Sequence, residues 1–184
     1  MANVRALLNL EGCVSVVTGG ATGIGFQMAT GLAEAGSNIV LCSRKVEVCE
    51  AACAELEKLG VQTLAVACDV TKLDQVEAMK AAVLKKFNRV DVLMNNAGRA
   101  WVAPPEDMPL DRWQQVMDLN INAALICSQA IGREFIKQKR GKIINIASIA
   151  GMVGRNPAAY SSIAYSTSKG ALVHFTRDLA VKWA

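Results

Sequence analysis

Val14-Ser-Val-Val-Thr-Gly-Gly-Ala-Thr-Gly-Ile-Gly25 decides how this chain folds. A β-branched run ends at Val17, and glycines follow at 19, 23 and 25 in the spacing Gly-x-x-x-Gly-x-Gly. The run reads as a buried strand and the turn as the start of a helix at Ile24. Gly19 lets the chain turn sharply, while Gly23 and Gly25 let the backbone approach a pyrophosphate and the helix pack on the strand. The helix N-terminus then offers free N–H groups and a positive dipole end to phosphates. A kinase-type phosphate loop is excluded, because no Gly-Lys-Ser/Thr follows at the required spacing.

Outward from this turn, strands alternate with helical segments. Asn38–Cys42, Gln62–Ala67, Val90–Met94 and Lys142–Ala147 read as further strands. Ile24–Ala35 and Val46–Leu59 read as helices stopped by Gly36 and Gly60. A third helix starts from a Thr71 cap and runs to about Phe87. Pro109–Lys139 is helical with a bend or split near Leu119-Asn120, and a last helix spans about Ser161–Ala184. This alternation predicts an α/β fold, a doubly wound Rossmann-type parallel sheet of order 3-2-1-4-5 with helices on both faces. Residues 1–184 are expected to form a single dinucleotide-binding domain, with its ligand at the carboxyl ends of the strands.

Composition narrows the class. Of 184 residues, 52% are apolar, too many for a disordered chain. No apolar run reaches the roughly 18 residues of a membrane span, so a sheet buried on both faces is the expected home for the apolar excess. Lys plus Arg number 20 and Asp plus Glu 16, a net +4 spread along the chain, which does not suggest nucleic-acid binding. The basic run Lys137-Gln-Lys-Arg-Gly-Lys142 reads as a solvated helix end. The N-terminal apolar stretch is too short for a signal peptide and is broken by Asn9 and Glu11. Six cysteines without a Cys-x-x-Cys pair, and one histidine, His174, argue against a metal site. They are expected to be reduced thiols in a cytoplasmic protein.

The end of the second strand bears on cofactor choice. An NAD site typically places an acid there for the ribose 2′-hydroxyl; here the strand ends Leu41-Cys-Ser-Arg-Lys45. Arg44 can bond a 2′-phosphate and Ser43 can donate another hydrogen bond, so NADP(H) is expected over NAD(H). Further on, Tyr165-Ser-Thr-Ser-Lys169 places a phenol and an ammonium at i, i+4 on one helix face. The ammonium favours the phenolate, which lets the phenol exchange a proton with a carbonyl or alcohol. Tyr160 has no such partner, since its i+4 residue is Ala164. Ser148 directly follows the fifth strand, where its hydroxyl can hold a substrate oxygen. Alone, Tyr-x-x-x-Lys also occurs as a solvated pair on surface helices.

Together these motifs are more specific. From about residue 10 onward the chain resembles the short-chain dehydrogenase/reductase family. The resemblance is carried by Thr18-Gly-x-x-x-Gly-Ile-Gly25, Asp69 after the third strand, Asn95-Asn-Ala-Gly98 after the fourth, Asn120, Ser148, Tyr165 and Lys169. It implies a catalytic set of Asn120, Ser148, Tyr165 and Lys169. The implied cofactor set is Gly19, Thr22, Gly23, Ile24, Gly25, Ser43, Arg44, Asp69, Val70, Asn96, Ala97 and Gly98, joined by Tyr165 and Lys169. Asp69 and Val70 should border the adenine, and Asn95 should tie the central strands. Ala97-Gly98 should pass close to the cofactor. Asn120 should break the long helix and hold a relay water to Lys169, and Lys169 should bond the nicotinamide ribose. The implied reaction is hydride transfer between nicotinamide C4 and a secondary alcohol or ketone, with Tyr165 as general acid/base and Ser148 orienting the oxygen.

The 17-residue step from Ser148 to Tyr165, with Asn-Asn-Ala-Gly-Arg-Ala-Trp101, looks most similar to gluconate 5-dehydrogenase types and next to 3-oxoacyl-carrier-protein reductases. The loop Ile149 to Ala164 is expected to line a substrate pocket. Arg99 and Arg155 are weighed as carboxylate contacts against solvated side chains, and Trp101 and Met152 as pocket walls against packing. His174 is taken as structural. Family members run on for about 60–80 further residues, so the chain is expected to lack a sixth strand, a Pro-Gly loop and a lid. The alternative is a weakly active or inactive form that binds a dinucleotide or dimerises. The resemblance implies a homodimer through the two long helices, or a tetramer with a full C-terminal part.

Overall fold

Runs of β-branched and small apolar residues form the strands β1 (Val14–Thr18), β2 (Asn38–Ser43), β3 (Thr63–Ala67), β4 (Val92–Asn95) and β5 (Lys142–Asn145). All adjacent pairs are parallel, in the order β3-β2-β1-β4-β5. Parallel pairing requires crossovers, supplied by α1 (Gly23–Glu34), α2 (Val46–Glu57), α3 (Leu73–Phe87), and α4 (Leu110–Met117) with α5 (Ala123–Gln138), while α6 (Ile163–Trp183) follows β5. The structure, a computed structural model, describes residues 8–154, 156 and 162–184. Residues 1–7 of the N-terminal stretch, Arg155, Tyr160 and Ser161 lie outside them.

Every residue of β1 and β4 is buried, because helices cover both faces of the sheet there. On one face Val16, Val40 and Leu93 pack with Met79 and Val83 of α3 and Ile131 of α5. On the other, Val17, Ile39 and Leu41 pack with Ala29 and Ala33 of α1 and Leu56 of α2. Two-sided burial does not extend to β5, whose residues alternate between exposed and half-buried. Its Ile143 joins the first layer, whereas Ile144 is exposed. All six cysteines are buried free thiols.

Two local details bear on the site. The N-cap of α3 is Lys72 rather than Thr71, and its side chain makes no capping bond. Thr71 is captured by Asp69, whose Oδ1 accepts from the Thr71 amide at 3.0 Å and hydroxyl at 2.7 Å in an Asx turn. The expected split of the long helix is a π turn, Asp118–Asn122, between α4 and α5, where the Ala123 N–H reaches back to the Asp118 carbonyl. Such a turn interrupts the regular helical ladder.

The amino end of the sheet is clamped by Asp91, which is only 4% exposed. Its Oδ2 accepts from the Val14 amide at 3.0 Å and from Arg89 Nε at 2.9 Å, and its Oδ1 accepts from Arg89 Nη2 at 2.6 Å. Asp91→Ala strands the Val14 amide and the guanidinium. The expected loss is about 2 kcal/mol, below the full cost of a broken buried pair because Arg89 keeps access to water. Urea unfolding should show a lower midpoint at unchanged slope; an unchanged midpoint would mean the clamp adds nothing.

Candidate active site

The turn between β1 and α1 is braced from β4. Asn96 Nδ2 donates to the Thr18 and Gly19 carbonyls, each at 3.0 Å. Thr18 Oγ1 in turn accepts from the Asn96 and Ala97 amides, each at 3.0 Å. A Cβ on Gly25 would overlap the Asn96 amide, so only glycine leaves room for the brace. Gly23 has φ +55° and open space where a Cβ would stand. The turn therefore presents an unobstructed backbone cradle at the N-terminus of α1, as a diphosphate requires. The strand-tying role expected of Asn95 is shared. Asn95 Nδ2 donates to Asn145 Oδ1 at 2.8 Å and Ser128 Oγ at 3.3 Å, joining β4 to β5 and α5. Asn96 joins β4 to β1.

The cradle opens into a cleft of about 650 Å³ at the carboxyl ends of the strands. Gly19, Thr22, Ile24, Gly25, Ser43, Arg44, Asp69, Val70, Asn96, Ala97 and Gly98 line it. Gly23 of the expected set shapes the turn without lining the cleft, and Tyr165 and Lys169 of that set, like Asn120 and Ser148, are not among the lining residues either. Arg99, weighed above as a carboxylate contact, lines the cleft as well, and so do Cys42, Cys68, Thr71, Gln115, Asp118 and Leu119, which motif reading did not find. Burial raises the Asp69 carboxyl, but the Thr71 hydroxyl and amide, with the Arg44 charge, outweigh it and hold the group below its usual range. Ser43 departs from expectation: its hydroxyl donates to the Lys45 carbonyl at 2.7 Å and accepts from Cys49 Sγ at 3.3 Å. Its proton is committed, which leaves Arg44 as the exposed donor at the tip of β2.

Lys169, on the second turn of α6, is 5% exposed, and its Nζ donates to the Ile146 carbonyl at 2.6 Å. The ammonium lies 5.6 Å from the centre of the Tyr165 ring. Burial pushes its pKa down. Ser148 starts the turn Ile149–Gly151, with Oγ accepting from the Ala150 amide at 3.1 Å, a bond that leaves the hydroxyl proton free to donate. Gly151 seats this turn on α6, since a Cβ there would come within 2.5 Å of the Lys169 carbonyl carbon and 2.6 Å of the Gly170 nitrogen. That backbone contact fixes Ser148 relative to the helix of Tyr165 and Lys169.

Asn120, in the π turn, is 2% exposed. Its Oδ1 accepts from the Arg99 amide at 2.8 Å, while Nδ2 donates to the Arg99 carbonyl at 2.9 Å and to Ser168 Oγ at 2.8 Å. With both amide hydrogens used, the side chain has no donor left for a relay water. Arg99 donates from Nη1 to Gln115 Oε1 at 3.0 Å and lines the cleft rather than standing free in solvent. The Arg112 guanidinium stacks on Trp101 at 4.3 Å, and the Trp101 carbonyl accepts from Ser162 Oγ at 2.8 Å. Met152 and His174 are exposed. Among the described residues no group of His, Cys, Asp and Glu could hold a metal, and no helix is long and apolar enough to cross a membrane.

The short chain dehydrogenase family model matches residues 13–184. The chain is 38% identical over 176 residues to an NAD-dependent glycerol dehydrogenase of Listeria innocua, covering 96% of this chain and 66% of that protein. It is 35% identical over 177 residues to gluconate 5-dehydrogenase of Gluconobacter oxydans, covering 96% and 68%. The crystal structure of an NADPH-dependent 3-quinuclidinone reductase from Rhodotorula rubra superposes with a TM-score of 0.92 at 34% identity, covering 100% of this chain and 69% of that one. The chain thus spans about two thirds of the length of the relatives it matches.

The buried ammonium yields a prediction. A lysine whose folded pKa is lowered costs stability while charged, and the cost fades as pH rises through that pKa. Lys169→Met is therefore expected to unfold no earlier than the unaltered chain at pH 7, with the difference shrinking at higher pH. Thermal unfolding across pH tests this, and a clear loss of stability at pH 7 would contradict it. Gly151→Ala, which lifts the Ser148 turn off α6, is expected to lower turnover about a hundredfold through misplacement. Dinucleotide titration should show binding retained, because the cradle lies elsewhere.

Proposed function

This chain belongs to the short-chain dehydrogenase family, and from that membership we propose that it is an NADP(H)-dependent oxidoreductase acting on a secondary alcohol or ketone. The support comes from the buried Lys169 ammonium, one helical turn from Tyr165 and close to the Gly98 wall of the cleft. Bound nicotinamide supplies or takes the hydride at C4. In the reductive direction Tyr165 Oη gives its proton to the substrate oxygen, and the Lys169 charge stabilises the phenolate left behind. Ser148 donates a hydrogen bond to the same oxygen and fixes its position. Lys169 has donors beyond the one on Ile146, enough to bond the nicotinamide ribose and pass a proton to water at the π turn. Asn120 holds the Gly98–Arg99 backbone against α6.

The preference for NADP(H) rests on Arg44. A charge-assisted bond to a 2′-phosphate contributes about 1.5–3 kcal/mol, tenfold or more in affinity. The relatives divide between NAD and NADPH in name, so this side chain carries the choice. The substrate is proposed to be a small carbonyl compound or alcohol. A cytoplasmic setting agrees with the buried free thiols, and a homodimer through α5 and α6 agrees with exposed Leu125 and Ile163 on those helices.

Tyr165→Phe should abolish NADPH oxidation across sugar acids, keto-acyl thioesters and simple ketones while leaving NADPH binding intact. Retained turnover would defeat the assignment. Arg44→Ala should weaken NADPH binding about tenfold and leave NADH binding unchanged. Equal effects on both dinucleotides would remove the basis for the preference.

A further inference from the structure

We infer that Ser168 is a positioning residue of this site: its buried hydroxyl locks the Asn120 carboxamide to the helix that carries Tyr165 and Lys169, and through Asn120 holds the Gly98–Arg99 wall of the cleft. Ser168 is 0% exposed. Its Oγ donates to the Tyr165 carbonyl at 2.8 Å and accepts from Asn120 Nδ2 at 2.8 Å. Asn120 closes the chain of bonds on Arg99, with its Oδ1 on the amide and its Nδ2 on the carbonyl. A Cβ on Gly98 would stand 3.2 Å from Asn120 Oδ1 and 3.7 Å from Lys169 Nζ, so the wall, the carboxamide and the ammonium meet at one point.

The hydroxyl is required because the buried Asn120 amide donates to it, and the Tyr165 carbonyl that takes its proton fixes its orientation. Without it an Asn120 amide hydrogen is left unpaired in a buried place, which is costly. The carboxamide then turns or slackens, and its grip on Arg99 loosens. The glycine cradle is braced separately by Asn96 and Thr18, so the effect falls on alignment rather than on holding the dinucleotide.

The catalytic half of this inference rests on the oxidoreductase reading, whereas the positioning half is tested without turnover. In the full chain, amide hydrogen exchange at Arg99 should quicken about tenfold or more in Ser168→Ala. The core amides of Val16 and Leu93 should keep their rates, and Ser168→Thr, which retains the hydroxyl, should restore protection at Arg99. Kinetically, Ser168→Ala should lower kcat about tenfold with the dinucleotide KM within about twofold, and Thr should restore kcat. Unchanged exchange at Arg99, or acceleration shared equally by the core amides, overturns the positioning role. Quickened exchange with unchanged kcat overturns its catalytic consequence. Failure of the oxidoreductase reading looks different: Tyr165→Phe keeps its turnover, while the exchange result at Arg99 still stands or falls on its own.

Discussion

The hydrogen bonds between the ends of β1 and β4 are the constraint on which the rest depends. Thr18 accepts from two successive amides beyond β4, and Asn96 returns two bonds to the glycine turn. A glycine-rich turn left to itself samples many conformations. Here the neighbouring strand's end shapes it, and Gly25 is bare so that the Asn96 amide can reach it. The N-terminus of α1, the mouth of the cleft and the Ala97–Gly98 wall all take their positions from this junction.

A second junction organises the other half of the site. The π turn brings the Asn120 carboxamide between the Gly98–Arg99 backbone and α6. The Gly151 turn lays the chain leaving β5 onto the same helix. Three segments far apart in sequence are thus referred to one rigid body, and a lysine without a carboxylate partner among the described residues is buried where they meet. The buried charge is a local cost to stability, of the kind proteins tolerate where chemistry needs it.

The fold was legible because its signals are local. β-branched runs bounded by glycines mark parallel strands, and their alternation with helices points to the doubly wound order 3-2-1-4-5. The glycine turn, the split near Asn120 and the Tyr165–Lys169 spacing are likewise written within a few residues. What sequence could not show depends on who becomes whose neighbour. Thr71 looked like a helix cap until Asp69 claimed its hydroxyl. Ser43 looked like a free donor until the Lys45 carbonyl took its proton. Ser168 lies inside the quoted motif, yet its role appears only once Asn120, 48 positions away, packs against it. Asp91 has Arg89 two positions away, but its bond to the Val14 amide exists only once β1 lies beside β4.

The junction between β1 and β4 joins residues 77 to 79 positions apart. No locally folded piece of the chain contains the cleft, which exists only once that long loop has closed. A ligand bound there binds the assembled state alone, and mass action then adds its binding energy to the fold, about 2.7 kcal/mol at a hundredfold excess over its Kd. Ligand supply and folded population are therefore one equilibrium, and the cellular level of the molecule that fills the cleft sets how much of the protein is exposed to proteolysis.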